Sequence, residues 1–392
     1  MRATPPHDFP SKATQADTRA HNASLVLRAL YDLGPISRAE ISRLTGLTRT
    51  SAGELVLELE REGLAENVGR GPSTGGKEPT LFALVGDARH LVSLDLGERT
   101  FSAALVNLRG AIRRRSTRDM HGGTVDVAVA LVTDLIDEVM AGEHPPILGI
   151  SVGTPGLVER DGTIRWALNL SLGDLRLGDI LRSRYGLPTI VANDAWAATI
   201  ATYLFRRDSR PANLVAIKVG GGIGAGLVLN GELFEGDRRG AGEIGHIVVD
   251  ADGAACHCGR QGCLETVASA TAVLQGAADS GLDVVSLADL GSMARHGDKA
   301  ALAIVSTAGT ALGNAIAHLV GALDVGEIVV HGSMTALGEP WFAAIRAEAT
   351  SRSLGPLVRE TRVIDGGVGE DLTLLGAAAM LLTRELGLTV HR

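Results

Sequence analysis

Cysteine is scarce in this chain: three residues in 392, too few for a disulfide framework, and aromatic residues make up only 3%. Such sparse cysteine argues against a secreted, bridge-stapled scaffold and suits a reducing cytoplasm. Positive charge is not in excess either. Against 37 Lys and Arg stand 45 Asp and Glu, giving a net charge of −8 and a pI of about 5.8. No chain-wide basic field therefore advertises nucleic acid. Apolar runs are read as falling short of a membrane span, and residues 1–12 lack the apolar centre of a signal peptide. The expectation is a cytoplasmic protein with no membrane association. Small and aliphatic residues are plentiful, 45% hydrophobic with 50 glycines, enough for two or three domains with full cores.

The three cysteines share one stretch, 243–265, which reads EIGHIVVDADGAACHCGRQGCLE. They are Cys256, Cys258 and Cys263, with His246 a short loop upstream. Zinc favours thiolate and imidazole ligands, and a structural site needs four of them placed tetrahedrally. Cys-x-Cys-x4-Cys in a Gly-containing turn can bring three sulfurs to one point, and His246 can supply the fourth ligand. Three ordinary buried thiols are the alternative. Core cysteines, however, do not cluster at ligand spacing while the rest of the chain has none. A disulfide would strand the third sulfur. The expected cofactor is Zn2+ in a structural role, because four protein ligands leave no open position for an activated water. His257, between two of the cysteines, is expected to point away.

The opening, 1–17, is Pro-rich and polar and reads as a disordered leader. From Thr18 the pattern turns helical, with Leu25, Val26 and Leu30 on one face and Gly34-Pro35 as a stop. Ser37 and Glu40 form a capping box around Arg38 and Ala39. The short helix they open is expected to turn Ile41 and Leu44 inward and to stop at Gly46. Leu47 is expected to be buried in the turn, and Thr48 to cap a longer helix carrying Leu55, Val56 and Leu59. Helix, Gly-containing turn, helix is the arrangement that lays a second helix in a DNA major groove. Two extended runs around a Gly/Pro/Ser/Thr loop follow, read as a β-wing. Candidate DNA contacts are Arg38, Thr48, Arg49, Thr50 and Ser51, with Arg70 and Lys77 near the wing tip. Residues 18–82 hold eight basic and eight acidic side chains, so a packing or dimerisation module is the rival. The acids Glu58, Glu60 and Glu62 come late in the long helix, which leaves its first turn basic.

Beyond residue 90 an apolar strand, a turn and two further strands precede a helix over 125–140. A strand ending in a Gly-Thr-Pro-Gly turn and a hairpin about Asp161-Gly162 come next. Asn193-Asp194 stands at the end of an apolar strand just before a helix. A carboxylate there can serve as a general base or hold hydroxyls, or it can simply cap the helix. The glycine run 220–226 lies between two strands, a weak signal by itself. Residues 269–323 read as long Ala-rich helix, and a closing helix is expected after Gly376.

ExGH (Glu243 and His246) followed by CxCGxxGCxE (256–265) resembles the signature of the ROK family, which contains sugar kinases and sugar-responsive repressors. The winged helix ahead of the body resembles the regulators of the xylose-repressor type within it. The Gly75-Gly76-Lys77 step resembles the end of their wing. The resemblance implies an α/β fold: an N-terminal winged helix-turn-helix (18–85) before a two-lobed, actin-like, ribonuclease-H-like body with a structural zinc loop. Its first lobe would span 86–192, completed by 376–392, and its second 193–375. The sugar contacts it implies are Asn169, Asn193, Asp194, Glu243, His246 and Glu265, and the zinc ligands His246, Cys256, Cys258 and Cys263. His246 can do both, since a metal-bound imidazole still offers its other N–H.

In the family's kinases the first turn reads DxGGT, the second phosphate loop Gly-Thr-Gly, and the adenosine motif ends in Gly-Gly. Here Glu98 brings an anion to the first turn, Gly221 lacks the Thr hydroxyl, and His331 replaces a glycine where it would crowd an adenine. The expectation is a non-enzymatic, sugar-responsive regulator that binds operator DNA and a sugar or sugar phosphate as a homodimer or tetramer. The alternative is an ATP-dependent sugar kinase with an added DNA-binding arm and Asp194 as general base. A third reading is a zinc-stabilised binding module without ligand response.

Overall fold

A computed structural model describes residues 15–72, 78–120, 124–170, 172–204 and 210–388. The expected leader up to residue 14, and Lys77 with its two glycines, lie outside them. The chain divides into two compact units, Met1–Arg89 with Leu382–Thr389, and His90–Leu381 with Val390–Arg392.

In the first unit, helix α1 (Gln15–Leu33) buries Val26 and Leu30 completely. A two-residue strand β1 (Ile36–Ser37) leads into α2 (Arg38–Thr45). The capping box forms: the Ser37 hydroxyl accepts from the Glu40 N–H at 3.3 Å, and the Ser37 N–H donates to Glu40 Oε2 at 2.9 Å. Two helix-end donors are thereby satisfied. Gly46 ends α2 in the left-handed region at φ 72°. Leu44, expected inward, is 49% exposed, and Leu47 is only half-buried. A helix of two turns wedged beside α1 and α3 presents one inward position, and Ile41 fills it. Helix α3 (Arg49–Arg61), capped by Thr48, buries Ala52, Leu55, Val56 and Leu59, the spacing of a single helical stripe. Strands β2 (Ala65–Arg70) and β3 (Thr80–Leu84) pair antiparallel as a ribbon, with β1 on the other edge of β3.

The second unit holds two five-stranded sheets. The first contains β4 (His90–Leu96), β5 (Thr100–Asn107) and β6 (Ile112–Asp119). After α4 (Val125–Met140) and β7 (Ile147–Thr154) comes a small sheet of β8 (Leu157–Val158), β9 (Ile164–Ala167) and β10 (Leu172–Leu175). Helix α5 (Leu177–Tyr185) and strand β11 (Thr189–Asn193) complete the first sheet, in the order β11-β7-β4-β5-β6. Helix α6 (Asp194–Leu204) crosses to β12 (Leu214–Val219), β13 (Ile223–Leu229) and β14 (Glu232–Leu233). Four helices follow: α7 (Glu265–Ala268), α8 (Ala270–Asp279), α9 (Leu287–Arg295) and α10 (Lys299–Leu323). Then come β15 (Glu327–His331), α11 (Glu339–Arg352), α12 (Gly355–Glu360), β16 (Arg362–Asp365) and α13 (Leu372–Leu386).

The second sheet runs β14-β13-β12-β15-β16. Both sheets therefore have one plan: an antiparallel three-strand meander whose first strand pairs parallel with a fourth, and the fourth with a fifth. The unit is an internal repeat of one ribonuclease-H-like lobe.

Two expectations need correction. Residues 269–323 are not one helix but three, because Ser269, Ser286 and Asp298 each cap a new start by accepting from a backbone N–H three residues on. Helix α10 is also long and apolar enough, by length and composition, to cross a membrane. It packs instead at the centre of the second lobe, where Val305, Leu312 and Ile316 are completely buried. A helix surrounded by protein is as apolar as one surrounded by lipid.

Helix α6 covers Leu214 and Val228 of the second sheet through Tyr203. Helix α13 covers Ala104 and Val106 of the first through Leu374 and Ala378. The two helices meet where a Cβ on Gly376 would overlap the Ala197 carbonyl oxygen. Gly376→Ala should therefore cost about 1–3 kcal/mol of stability by overpacking this crossing. A urea midpoint equal to that of the parent protein would refute so tight an approach.

Candidate functional site

Because the two sheets share one plan, the turns at the carboxyl ends of their first strands, β4–β5 and β12–β13, open on one space. That space is a cavity of about 790 Å³ lined by both turns and by the end of β11. All six expected sugar contacts reach it. Asn169, Asn193, Asp194, Glu243, His246 and Glu265 all line the wall.

Their side chains are held differently. Asn193 Oδ1 accepts from the N–H groups of Ala195 at 2.9 Å and Trp196 at 3.1 Å, and its Nδ2 donates to the Gly156 carbonyl at 3.0 Å. Its amide thus caps α6 and pins the Pro155-Gly156 turn. Asp194 Oδ1 accepts from the Ala195 N–H at 2.8 Å, and Oδ2 takes the Lys218 ammonium at 2.7 Å. Asn169 donates to the Glu98 carboxylate. Glu265, at the start of α7, accepts from the Ile223 N–H at 3.0 Å.

Lys218 escaped the sequence reading. It is the one charged residue in the apolar strand LVAIKV, and that lone charge was the available signal. Its Nζ lies 2.7 Å from Asp194 Oδ2 and 3.2 Å from the Thr373 hydroxyl. Burial opposes its charge, but the carboxylates of Asp194 and Asp95 together outweigh burial and hold the ammonium above its ordinary range. Asp95 is pushed up by burial and drawn back by Lys218.

Carboxyl groups line much of the rest of the cavity, with Arg99 and Arg260 exposed at its edge. Glu98 is raised by burial against the opposing Asn169 hydrogen bond, with Glu265 and Asp194 adding repulsion. Glu265 is raised by burial, opposed by the Ile223 N–H. Glu243 is pushed up to about 7 by burial and then by Asp194 and Glu265. Carboxyl groups of this kind accept from or donate to hydroxyls, which suits a polyhydroxylated ligand.

On the flank of this cavity, His246, Cys256, Cys258 and Cys263 gather with all ligand atoms within 4.8 Å of one another. Cys258 and Cys263 sulfurs are 3.6 Å apart, and Cys256 Sγ is 3.7 Å from His246 Nδ1. Tetrahedral ligands at metal–sulfur bond length stand about 3.8 Å apart, so the four side chains could hold a metal ion. His246 turns Nε2 the other way, 4.0 Å from Glu243 Oε2, so one imidazole faces both cluster and cavity. His257 stays outside the cluster, as expected.

His331 has both ring nitrogens engaged by the protein. It is buried away from the cavity wall, with Nε2 on the Thr202 hydroxyl at 2.8 Å and Nδ1 on the Gly366 carbonyl at 3.0 Å. The position lies on a fully buried strand whose alternation turns it toward α6.

In the first unit, Thr48 Oγ1 accepts from the Ser51 N–H at 3.1 Å and lies 2.9 Å from Ser51 Oγ. That pair caps α3, while Arg49 and Thr50 stand exposed in its first turn. The Arg38 guanidinium lies 4.7 Å over the Phe82 ring and 3.7 Å from Glu60, a packing role. Arg70 is exposed at the end of β2, 4.0 Å from Glu78.

Two lobes of one topology around an acidic cleft, flanked by a Cys/His cluster, define an actin-like, ribonuclease-H-like α/β body. A profile of the ROK family matches residues 91–384, and the chain belongs to that family. It is 25% identical to the xylose repressor of Bacillus subtilis (strain 168) over 373 residues, 94% of this chain and 97% of that protein. To the glucokinase of Thermotoga maritima it is 33% identical over 317 residues, 75% of this chain and 98% of the enzyme. A solved ROK family transcriptional regulator, a homolog of the E. coli MLC protein, matches with a TM-score of 0.82 at 26% identity. That match covers 95% of this chain and 98% of the regulator.

Removing the cation should expose the electrostatic design of the cleft. Lys218→Met leaves Asp194 and Asp95 without a counter-charge and should destabilise the protein by about 3 kcal/mol. The deficit should narrow toward acid pH, as Asp95, already held above its usual range, takes up a proton and no longer needs the ammonium. Denaturant titrations of parent and variant across pH decide this. A deficit that grows on acidification would contradict the assignment.

Proposed function

We propose that this chain is a sugar-responsive transcriptional repressor. Its first unit is read as a winged helix-turn-helix that binds operator DNA, and the cavity of its second unit as the effector site. The observation that carries the reading is one of extent. The similarity to the Bacillus subtilis xylose repressor runs over 94% of this chain, and that to the glucokinase over 75%. The domain reading is a winged helix at 18–85, a first lobe at 86–192 completed by 376–392, and a second lobe at 193–375.

Within the first unit, α3 is the recognition helix. Arg49 and Thr50 are its reading side chains, with Thr48 and Ser51 forming the cap that orients them. Arg38 packs rather than reads, Arg70 reaches the DNA backbone from the wing, and Lys77, outside the described residues, is a further candidate phosphate contact. Net charge gives no help here, so affinity rests on these few local contacts. In the second unit, Asp194, Glu243, Glu265, Asn169 and His246 bind hydroxyls of the sugar, and Asn193 holds the floor. The functional assembly is a dimer or tetramer. A sugar that prefers one arrangement of its two DNA-binding units over the other shifts the spacing they present to the operator.

The ion in the Cys/His cluster is zinc, since three thiolates and one imidazole in a closed tetrahedral set are its preferred donors. Zinc would supply structure, not chemistry, by fixing the loop that carries His246 and the start of α7 that carries Glu265. Cys258→Ser should lose the bound zinc and weaken sugar binding with it, read by metal analysis and calorimetry on the same sample. Full zinc with unchanged sugar affinity would remove Cys258 from the ligand set.

The kinase reading keeps support in Asp194 at the strand end beside the cavity, in the other sugar-site residues Asn193, Glu243, His246 and Glu265, and in the 33% identity to the glucokinase. A salt-controlled DNA-binding assay against the protein's own upstream region, with and without a sugar panel, separates the two. Specific binding released by one sugar is expected. Arg49→Ala should weaken it across all salt concentrations and flatten its salt dependence by about one released ion if the side chain meets phosphate. No specific DNA binding, together with ATP-dependent phosphorylation of a panel sugar, would establish the kinase instead.

A further inference from the structure

The two glycine-bearing turns that face each other across the cavity are not both open. Glu98 stands in the β4–β5 turn of the first lobe, and its carboxylate projects over the β12–β13 turn of the second. A Cβ on Gly221 would overlap that carboxylate directly. A Cβ on Gly222 would meet Asn169 Nδ2 at 2.8 Å and Glu265 Oε2 at 3.0 Å. The room above the second glycine turn is therefore already filled by the protein. Asn169 donates to the same carboxylate and fixes it there.

We propose that Glu98 is a specificity-determining residue: it occupies the space over Gly221 and Gly222, where backbone glycines could cradle an anion, and so restricts the effector to uncharged sugars. This rests on reading the cavity as the effector site, and it narrows that site from "sugar or sugar phosphate" to neutral sugar.

The charges around the cleft agree. Glu98, Asp194, Glu243 and Glu265 line it from both lobes, and the one cation among the buried groups, Lys218, is already paired with Asp194. Arg99 and Arg260 also line the cavity, but both are exposed at its edge, where solvent weakens their attraction. A phosphate brought to the glycine turn would have to displace the Glu98 carboxylate or lie against it, with Glu265 alongside. A neutral hydroxyl meets no such penalty and finds acceptors on every side. The pairing also accounts for the small residue at position 221, because a larger one and Glu98 cannot share the space.

The test uses the full-length protein and does not depend on DNA. Calorimetry would compare glucose with glucose 6-phosphate, xylose with xylose 5-phosphate, and N-acetylglucosamine with its 6-phosphate, and would add inorganic pyrophosphate as a pure anion probe. The parent protein should bind one neutral sugar and show no heat with pyrophosphate. Glu98→Gly should gain pyrophosphate affinity by about tenfold or more, and Glu98→Gln by less, because the amide removes charge but keeps the bulk. A phosphorylated sugar bound more tightly than its parent sugar, or no gain of pyrophosphate affinity in Glu98→Gly, would overturn the proposal.

A second arm reads the steric half alone. Gly221→Thr should lower the thermal midpoint in the parent and lower it less in the Glu98→Gly background. Equal losses in both backgrounds would show that Glu98 does not fill that space. Neither arm involves an operator, so a failed DNA assay counts against the repressor reading and leaves the role of Glu98 to these measurements.

Discussion

One ammonium group joins the two sheets at the floor of the cleft. Lys218 comes from the first strand of the second sheet, and its Nζ meets Asp194, at the end of the first sheet, and Thr373, at the start of the helix that covers that sheet. Asp95, at the end of the first strand of the first sheet, adds a further carboxylate to its field. Two buried carboxylates without a cation between them would repel in a medium that screens poorly. With the cation, the carboxyl ends of both sheets can close on one another and leave a lined cavity rather than a gap. The pair is only partly shielded from the cavity, with Lys218 30% and Asp194 17% exposed, so it joins the lobes and also shapes the ligand's surroundings.

The repeated topology explains why that cavity collects its particular groups. In each lobe the first strand ends in a hairpin turn at the same edge of the sheet, and the lobes present these edges to each other. Residues far apart in the chain, such as Glu98 and Gly221, then become neighbours by symmetry of the fold. Open α/β sheets collect ligands at strand carboxyl ends for the same reason, because the turns there converge and backbone N–H groups are free to face inward. Two such edges facing one another make a cleft instead of a single crevice.

The Cys/His cluster borders the cavity, with His246 and Cys258 in its wall. His246 turns one ring nitrogen to the sulfur side and the other toward Glu243. An ion on the first nitrogen would fix the orientation of the second, and with it the face the ring turns to the cavity. The three cysteines that could hold such an ion lie in the segment between Glu243 and Glu265. That segment is largely turns and isolated bridges, and it needs an anchor that neither sheet provides.

Much of this was legible in the sequence wherever the cause is local. The capping box at Ser37, the Thr48 cap, the Cys-x-Cys-x4-Cys spacing and the strand-end Asn193-Asp194 all depend on residues within a few positions of one another, and each appears where its chemistry predicts. The caps at Ser269, Ser286 and Asp298 were local signals as well, and they break a run that looked continuous by hydropathy alone. What depended on distant partners was not legible. Leu44 is exposed because Ile41 already fills the space its neighbours leave, and His331 faces α6 because of which side of β15 the lobe covers. Asn193 spends its amide on Gly156, and Lys218 finds Asp194 only when two sheets close. Local hydrogen bonding and ligand spacing are written in consecutive residues. Which face is buried, and which charges meet, is decided by elements tens to hundreds of residues apart, and only the folded chain brings those together.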